Sequence, residues 1–395
     1  MKSIFKIFRP FLYLLYWLTF FIRRNPHIWI FGGDYNSFSN GKYLAHYILK
    51  NHPEVKPVWV VRSHIDLKKI QRDGFEAYYH WSWNGIKYSL IGKYQFLNSY
   101  VFDINYWLSC GSTIINLWHG LPLKKLNFDI EKGPSASLFN PRFLPAWITR
   151  IFILRHKSPH YFIATSKVTQ EIFSKAFRVP KEKCLITGYP RNDVFFEKNT
   201  IRQSSSLEIN SIINNAEKTF VYMPTWRDTE NDFLVDSEID INAMNIALSS
   251  KNYHMFIKLH PLTKLNSLKS SSQSNIHFLP GQFDVYPYLI NIDVLITDYS
   301  SIYFDFLLTE NIILFFPFDL DKYQSQDRDL YFEYNEVTPG PVANNFSELL
   351  ELINNRQFDK PLTKAYNYIE IKDRFWNYKD GKSSERIFHH FYENP

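Results

Sequence analysis

Nine short apolar runs, each ending at a polar or glycine-containing turn, constrain the fold of this sequence more than any other feature. They are HIWIFGG (27–33), VKPVWVVRS (55–63), TIINLWHG (113–120), YFIATS (161–166), CLITGYP (184–190), TFVYMPTW (219–226), YHMFIKLHP (253–261), VLITDYSS (294–301) and IILFFPF (312–318). Between the runs lie segments with helical character, such as GKYLAHYILKN (41–51) and SKVTQEIFSKAF (166–177). Apolar strands that alternate with helices are typical of parallel sheets covered on both faces. The sequence therefore predicts an α/β fold.

A polar segment divides these runs into two groups. Residues 198–218 are rich in Ser and Asn and lack strong apolar periodicity. The chain of 395 residues also exceeds the size at which one hydrophobic core usually stops growing. We therefore predict two α/β domains, residues 26–200 and 201–395, that face each other across a central cleft. In open parallel sheets, ligands bind beyond the carboxyl ends of the strands.

The net charge of +6 is concentrated at the N-terminus. Residues 1–24 contain five basic residues and no acidic residue, which leaves 40 basic and 39 acidic residues in the remainder. A near-neutral remainder argues against a nucleic-acid-binding surface. The two cysteines, Cys110 and Cys184, lack metal-ligand spacing and indicate a reducing compartment.

The N-terminal run from Phe11 to Ile22 carries no charge and has arginines on both sides. A helix of this length spans about 18 Å, which is short of the ~30 Å hydrocarbon core of a bilayer. We expect residues 1–25 to form an interfacial helix on an anionic membrane surface, with these aromatic side chains at headgroup level: Tyr13, Tyr16 and Trp17. The alternative is a helix that packs on the protein itself. The interfacial interpretation predicts a peripheral protein on the cytoplasmic face of the membrane.

Polar and charged residues follow the strand-like runs at the positions where parallel sheets bind ligands. They are His119, Arg191, Thr225 to Arg227, Lys258, His260, Ser300 and Ser301. A serine at the start of the helix after residue 297 can cap its first turn, and free amides there suit a phosphate. Asp305 lies one turn beyond Ser301, where it can accept hydroxyl groups of a ribose or polyol. Any one of these residues alone is more often structural than functional, so the pattern carries the prediction.

His119 is the candidate general base. Imidazole has an ordinary pKa near 6.5, which suits it to take a proton from a hydroxyl group near neutral pH. Guanidinium groups donate in pairs to phosphate oxygens and keep their charge. A hydroxyl group that attacks a diphosphate needs a base on one side and cationic donors on the leaving phosphate. Histidines and cations in both domains predict this arrangement in the cleft.

Six motifs then carry a resemblance to a known family. They are LWHGLPLK (117–124), TGYPRND (187–193), YMPTWRD (222–228), KLHP (258–261), ITDYSSIYFDF (296–306) and YQSQDRDLYFEYNEVTPGP (323–341). In order and content they resemble the motifs of the CDP-glycerol glycerophosphotransferases of teichoic acid synthesis. The resemblance implies a GT-B fold with two Rossmann-like domains. It also implies a membrane-associated enzyme that transfers glycerol phosphate from CDP-glycerol to a hydroxyl group of a lipid-linked saccharide or polyol-phosphate acceptor, with release of CMP.

The resemblance also implies residue roles. His119 would be the base, and His260 would steady the phosphates. Together with Arg227 from the strand-end pattern, these residues are expected to bind CDP-glycerol: Trp118, Gly120, Leu121, Pro122, Arg191, Pro224, Thr225, Lys258, Ser300, Ser301 and Asp305.

Several alternatives remain open at this point. Leu121 stands where the family commonly has Thr, and Asp329 where it commonly has Gly, so the donor could carry glycerol or ribitol. The chain is little more than the two domains, which favours a primase that adds one unit, or a compact capsule-type transferase, over a polymerase. A GT-B glycosyltransferase that uses a nucleotide sugar is the main rival, and a non-catalytic binding module is the second. The sequence contains no clustered metal ligands, and a requirement for a divalent metal is left open.

Overall fold

The computed structural model describes residues 9–33, 35, 39–132, 136–139, 153–197, 206–227, 237–259, 263, 274–320, 329–356, 358 and 367–393. The strands are β1 (Asn25–Phe31), β2 (Lys56–Val61), β3 (Glu76–Tyr79), β4 (Gly92–Leu97), β5 (Thr113–Asn116), β6 (Tyr161–Ala164), β7 (Cys184–Ile186), β8 (Lys218–Tyr222), β9 (Tyr253–Ile257), β10 (Ile276–Phe278), β11 (Val294–Thr297) and β12 (Ile312–Phe315).

The described helices lie between and after these strands. They are α1 (Arg9–Leu18), α2 (Asn40–Asn51), α3 (His64–Arg72), α4 (Trp83–Ile91), α5 (Ala136–Phe139), α6 (Lys167–Phe177), α7 (Leu207–Asn215), α8 (Ile241–Ser249), α9 (Tyr286–Leu289), α10 (Ile302–Phe306), α11 (Tyr334–Val337), α12 (Phe346–Asn354), α13 (Tyr368–Phe375) and α14 (Ser383–Tyr392). Short 3₁₀ turns connect several of them, including Thr19–Phe21 after α1 and Pro190–Phe196 after β7.

Strands β1 to β7 form one parallel sheet in the order β3-β2-β1-β4-β5-β6-β7. β1 lies between β2 and β4, with Trp29 opposite Pro57 on one side and Tyr94 on the other. Its last three residues are fully buried, as expected for a strand covered on both faces. The predicted α/β architecture with parallel sheets is confirmed.

Strands β8 to β12 form a second parallel sheet in the order β10-β9-β8-β11-β12. On one face, Phe220, Met255 and Ile296 pack with α8 and α12. On the other face, Val221 and Leu295 belong to a cluster of buried side chains that also includes residues of the first sheet. The two halves of the chain therefore share a continuous apolar core.

The end of the chain returns to the first sheet. Phe388 of α14 packs 5.3 Å from the ring of Trp29, and Phe391 lies 5.5 Å from the ring of Tyr94. The carboxylate of Asp193 accepts hydrogen bonds from the backbone amides of Ser383 and Ser384, at 2.9 and 2.8 Å, and so caps the start of α14. Full burial of each phenylalanine stabilises this return by roughly 1.5–3 kcal/mol.

Helix α1 packs on the first half of the chain with one face. Tyr13 lies edge-on to Trp107 at 5.1 Å, and Tyr16 stacks on Tyr106 at 4.9 Å. The opposite face exposes Phe11, Leu14, Trp17 and Leu18, and the 3₁₀ turn that follows exposes Phe20 and Phe21. Among the residues that the structure describes, no helix is both long enough and apolar enough to cross a bilayer.

Candidate active site

A cavity of about 540 Å³ lies between the carboxyl ends of the strands of the two sheets. Loops that follow β4 and β5 of the first sheet and β8, β9 and β11 of the second sheet contribute to its walls. Twelve of the predicted site residues line this cavity: Trp118, His119, Gly120, Leu121, Pro122, Arg191, Pro224, Thr225, Lys258, Ser300, Ser301 and Asp305. The cavity therefore brings together predicted residues that are as far apart in the chain as Trp118 and Asp305, a separation of 187 positions.

Two of the predicted residues are not among these. Arg227 is described but does not line the cavity. His260 lies outside the residues that the structure describes.

The backbone around His119 is held in an unusual conformation. Trp118 has φ of +52°, in the left-handed region that bulky residues rarely adopt. Its amide donates to the side chain of Asn116 at 2.9 Å, and the side chain of Asn40 donates to the carbonyls of Leu117 and Trp118 at 3.1 and 2.9 Å. The Trp118 ring packs on Phe162 and Phe177. These contacts turn the chain sharply after β5, which places His119 on the cavity wall.

The hydrogen bonding of His119 identifies its tautomer. Nδ1 lies 3.0 Å from the carbonyl oxygen of Asn98. A carbonyl only accepts, so Nδ1 carries the proton and Nε2 presents a lone pair. The ring is exposed to the cavity, but both halves of the protein enclose that cavity. Burial therefore lowers the pKa of His119; the bond to Asn98 opposes this shift and the charge of Arg191 adds to it.

Arg191 and Asp305 form a buried ion pair between the two halves of the chain. Nη2 of Arg191 donates to Oδ2 of Asp305 at 2.7 Å, and Nη1 donates to the carbonyl of His119 at 2.7 Å. Both side chains are almost completely buried. Asn192 donates to Oδ1 of Asp305 at 2.8 Å and the hydroxyl of Tyr286 donates to Oδ2 at 3.3 Å. Arg191 and Asp305, predicted to contact phosphate and hydroxyl groups, are thus in contact with each other.

Each charged group of this pair stabilises the charged form of the other. Burial alone lowers the pKa of Arg191, but Asp305 outweighs it and the net pKa lies above the ordinary value. Burial raises the pKa of Asp305, whereas Arg191 and Asn192 oppose that rise. We take the pair as ionised, because Asp305 accepts three hydrogen bonds that a protonated carboxyl group would satisfy less well.

Asp298 organises the wall formed by the second sheet. Its carboxylate accepts hydrogen bonds from the amide of Thr225 at 3.0 Å, the hydroxyl of Thr225 at 2.7 Å and the amide of Ser300 at 3.1 Å. Arg227 lies behind it, with Nη2 at 2.9 Å from Asp298 and the guanidinium bonded in bidentate fashion to Asp319 at 2.7 Å. Arg227 therefore supports Asp298 from behind the wall, and its contact with the donor stays a prediction.

Lys258 contributes a cation to the same wall. Its side chain is buried, and Nζ donates to the carbonyl of Gly281 at 2.8 Å. Burial lowers the pKa of Lys258 to about 8, and the carboxylate of Asp284 opposes the shift. The lysine therefore remains mostly charged at neutral pH.

The two halves also lie close together at Gly120 and Ser301. A Cβ atom at Gly120 would lie 2.7 Å from Oγ of Ser301, so a larger residue at position 120 would force the Ser301 side chain to move. Ser301 occupies the N-cap position of α10, as predicted for Ser300 or Ser301, but its side chain makes no capping hydrogen bond. α10 has only five residues before the backbone tightens into a 3₁₀ turn.

Several cavity-lining residues do not emerge from the sequence analysis. They are Ser39, Asn98, Ser99, Asp103, Tyr286 and Tyr299. Asn98 and Ser99 directly follow β4, so the rule that ligands bind beyond the ends of strands would have found them if β4 had been predicted. Among the described residues, no group of three or more His, Cys, Asp or Glu side chains is arranged to hold a metal ion.

Comparison with known proteins identifies the family. The model of the family described as CDP-Glycerol:Poly(glycerophosphate) glycerophosphotransferase matches residues 12–392. The chain belongs to this family. The resemblance carried by the six motifs is thereby confirmed.

Relatives within the family act in teichoic acid synthesis, as their names indicate. The teichoic acid poly(glycerol phosphate) polymerase of Bacillus subtilis (strain 168) is 27% identical over 355 residues, which cover 88% of this chain and 46% of that protein. The teichoic acid ribitol-phosphate primase of Bacillus spizizenii is 26% identical over 281 residues, 69% of this chain and 67% of that protein. The chain spans less than half the length of the Bacillus subtilis polymerase.

A solved structure in the family has the same architecture. The wall teichoic acid polymerase TagF, in a crystal soaked with CDPG, superposes with a TM-score of 0.77 at 26% sequence identity. The match covers 94% of this chain and 90% of that chain. The α/β fold with parallel sheets therefore agrees with that of a solved family member.

Proposed function

We propose that this protein transfers glycerol phosphate from CDP-glycerol to a hydroxyl group of a lipid-linked acceptor and releases CMP, in the synthesis of teichoic acid or a related capsule polymer. One observation carries this proposal: a single cavity contains a histidine with an available Nε2 lone pair together with the buried cation of Lys258. Membership of the glycerophosphotransferase family supports the reaction class.

His119 acts as the general base in this proposal. Its Nε2 takes the proton of the acceptor hydroxyl as the oxygen attacks the phosphorus that carries glycerol. A bond forms between that oxygen and the phosphorus, and the bond from the phosphorus to the bridging oxygen of the diphosphate breaks. CMP leaves with the electron pair. The lowered pKa of His119 keeps the imidazole neutral at pH 7, which a base requires.

The second sheet supplies the groups that stabilise the diphosphate. Lys258, Thr225 and the two serines line the cavity, and Asp298 fixes the backbone at Thr225 and Ser300. Preorganised cationic and hydrogen-bonding groups stabilise the charge that develops on a leaving phosphate. We propose His260 as a further phosphate ligand on the basis of the KLHP motif.

We also propose that the fold is of the GT-B type, with two Rossmann-like domains, 26–200 and 201–395, that face the cavity. The order of strands in the two sheets and their parallel arrangement support this assignment. Because α14 packs on the first sheet, we propose that residues 383–392 function with the N-terminal domain.

We propose that residues 1–25 bind the membrane surface and hold the enzyme at the cytoplasmic face. Phe11, Trp17 and Phe21 are more than half exposed, which suits an apolar face inserted at the level of the headgroups. The basic residues of the segment would contact anionic lipid.

Transfer of ribitol phosphate from CDP-ribitol is the second candidate, because a ribitol-phosphate primase is 26% identical over 69% of this chain, compared with 27% over 88% for the poly(glycerol phosphate) polymerase. The test is to incubate the full chain with lipid-linked saccharide acceptors and with CDP-glycerol, CDP-ribitol or a UDP-sugar in turn. Mass spectrometry of the lipid product and measurement of CMP follow each reaction. We expect a mass gain of glycerol phosphate with one CMP for each unit transferred.

The competing outcomes are distinct. A product only from CDP-ribitol would replace the donor but retain the reaction, and a product only from the UDP-sugar would overturn the proposal. Binding of CDP-glycerol without release of CMP would support a non-catalytic module.

A further inference from the structure

We propose that the part of the cavity beside His119 is an acceptor site that binds an uncharged polyol or sugar terminus through Ser99 and Asp103. This inference rests on the proposed function, because it assigns the second substrate of the same reaction. Ser99 and Asp103 both line the cavity, and both are partly exposed. Neither residue belongs to the motifs that carry the family resemblance.

The loop that follows β4 is built to present these two side chains. Oδ2 of Asp103 accepts hydrogen bonds from the amides of Asn98 and Ser99, at 3.1 and 2.7 Å. The side chain of Asn116 donates to the carbonyl of Ser99 at 2.8 Å. Asp103 is also enclosed by the turn after β1, where a Cβ atom at Gly33 would lie 3.1 Å from its carboxylate. The loop is therefore fixed before a substrate binds.

The same loop positions the base. The carbonyl of Asn98, one residue before Ser99, accepts the hydrogen bond from Nδ1 of His119. The side chain of Asn98 is itself held by Gly41 and Ser39, at 3.2 and 2.9 Å. A hydroxyl group bound at Ser99 and Asp103 would thus be held by the element that orients the imidazole, as proton transfer between the two requires.

Two charged residues on opposite walls of the cavity suit different substrates. Asp103 stands on the wall formed by the first sheet, whereas Lys258 stands on the wall formed by the second sheet. The remaining charges are mixed, because Lys124 and Arg191 line the cavity from the first half of the chain and Asp305 lines it from the second half. A carboxylate accepts hydrogen bonds from hydroxyl groups, and an ammonium group suits phosphate oxygens. The donor phosphates therefore fit beside Lys258, and a hydroxyl-bearing terminus fits beside Asp103.

Substitution of Ser99 tests this site more directly than substitution of Asp103 does. No hydrogen bond of this hydroxyl is found among the described residues, so its removal leaves the loop intact. Asp103 also holds backbone amides, and its replacement could disturb the loop. In Asp103→Asn, the amide oxygen can still accept those bonds while the negative charge is lost.

The experiment measures the KM for each substrate separately, with CDP-glycerol and a short-chain lipid-linked saccharide that ends in an uncharged sugar. We expect Ser99→Ala and Asp103→Asn to raise the KM for the acceptor by about tenfold, which is the loss of one hydrogen bond to a substrate. The KM for CDP-glycerol and its binding measured by calorimetry should change less than about twofold, well below that effect. Ser249→Ala, on the exposed end of α8, is the matched control and should change neither constant.

The outcomes separate this inference from the proposed function. An unchanged acceptor KM in Ser99→Ala, or an equal rise in both KM values, would overturn the acceptor site. If the wild-type chain releases no CMP with any acceptor, the proposed function fails. Direct binding of the same lipid-linked probe then decides the site: weaker binding by Ser99→Ala supports it, and unchanged binding overturns it.

Discussion

Nδ1 of His119 donates a hydrogen bond to the backbone carbonyl of Asn98, 3.0 Å away, and this contact leaves the lone pair of Nε2 available to accept a proton. Because the acceptor is a backbone atom, no side-chain substitution at position 98 removes it. A backbone carbonyl therefore orients the base in this protein. In a Ser-His-Asp arrangement, a carboxylate side chain has that role.

The first prediction concerns the loss of this base. We expect His119→Ala to lower the rate of transfer by about 10²–10⁴-fold, which is the usual contribution of a general base. Binding of CDP-glycerol should persist, because the cationic groups of the second sheet remain. Radiolabel transfer and calorimetry measure the two effects. His27→Ala, at an exposed position on β1, is the control, and near wild-type transfer by His119→Ala would contradict the assignment.

The second prediction concerns the pH dependence of the reaction. A base must be neutral, and burial lowers the pKa of His119 from its ordinary value. Protonation therefore begins to inhibit only at a pH below about 6.5, the ordinary value for histidine. We expect the acidic limb of the pH profile of kcat/KM to have its midpoint below that value. A midpoint above it would show that another group limits the rate.

The third prediction concerns the ion pair of Arg191 and Asp305. Asp305→Asn leaves the guanidinium buried without its counter-charge, which should lower the free energy of unfolding by about 3–5 kcal/mol. Urea unfolding followed by circular dichroism measures this change. Glu171→Gln breaks an exposed pair with Lys181 and should lower the free energy of unfolding much less than Asp305→Asn does, because solvent screens exposed pairs. Equal losses in the two variants would contradict the predicted cost of an unpaired buried guanidinium.

Continuous apolar strands account for what the sequence predicts well. β1, β5, β8 and β11 are buried on both faces, so their apolar runs mark them without reference to other elements. The polar residues at their ends, such as His119 and Ser300, could therefore be assigned to one cavity from the chain alone.

β4 shows why other strands and site residues cannot be predicted from the sequence. It lies between β1 and β5, yet its sequence GKYQFL is interrupted by Gln95, which is buried and donates its side-chain amide to the carbonyl of Ser89 at 3.1 Å. Only the tertiary structure supplies that partner. Arg227 is a similar case: its position after β8 is evident in the sequence, but its orientation depends on Asp298 and Asp319, which are 71 and 92 residues further along the chain.

The fourth prediction concerns the bridge across the cleft formed by residues 123–126 and 329–331. Lys124 and Leu330 pair as an antiparallel bridge, and Tyr331 donates to Asp129 at 2.7 Å and accepts from the amide of Leu126 at 3.1 Å. Asp329 adds ion pairs to Lys125 and Lys132, at 3.9 and 3.5 Å, in which all three side chains are partly exposed.

Tyr331→Phe should therefore destabilise the protein more than Asp329→Ala does. The first removes the partner of the Leu126 amide and of the Asp129 carboxylate, two partly buried hydrogen bonds whose loss costs about 1–3 kcal/mol, and the second removes partly exposed ion pairs worth about 0–1 kcal/mol. The midpoints of urea unfolding, measured under identical conditions, compare the two variants. A larger loss in Asp329→Ala would show that charge, and not the buried hydroxyl, holds the bridge.

The fifth prediction concerns the exposed face of α1. Phe11, Trp17 and Phe21 are 65%, 63% and 83% exposed, while Tyr13 and Tyr16 hold the helix to the protein from the opposite side. One face of this segment therefore packs on the protein, and insertion of the other face in the membrane interface stays a prediction. Replacement of the three exposed residues by Ser should weaken binding to vesicles that contain anionic phospholipid and leave the fold intact.

Leu207→Ser, which removes an 85% exposed leucine on α7, controls for a general loss of apolar surface. Sedimentation with vesicles measures the bound fraction, and unchanged sedimentation of the triple variant would mean that this face does not contact the membrane.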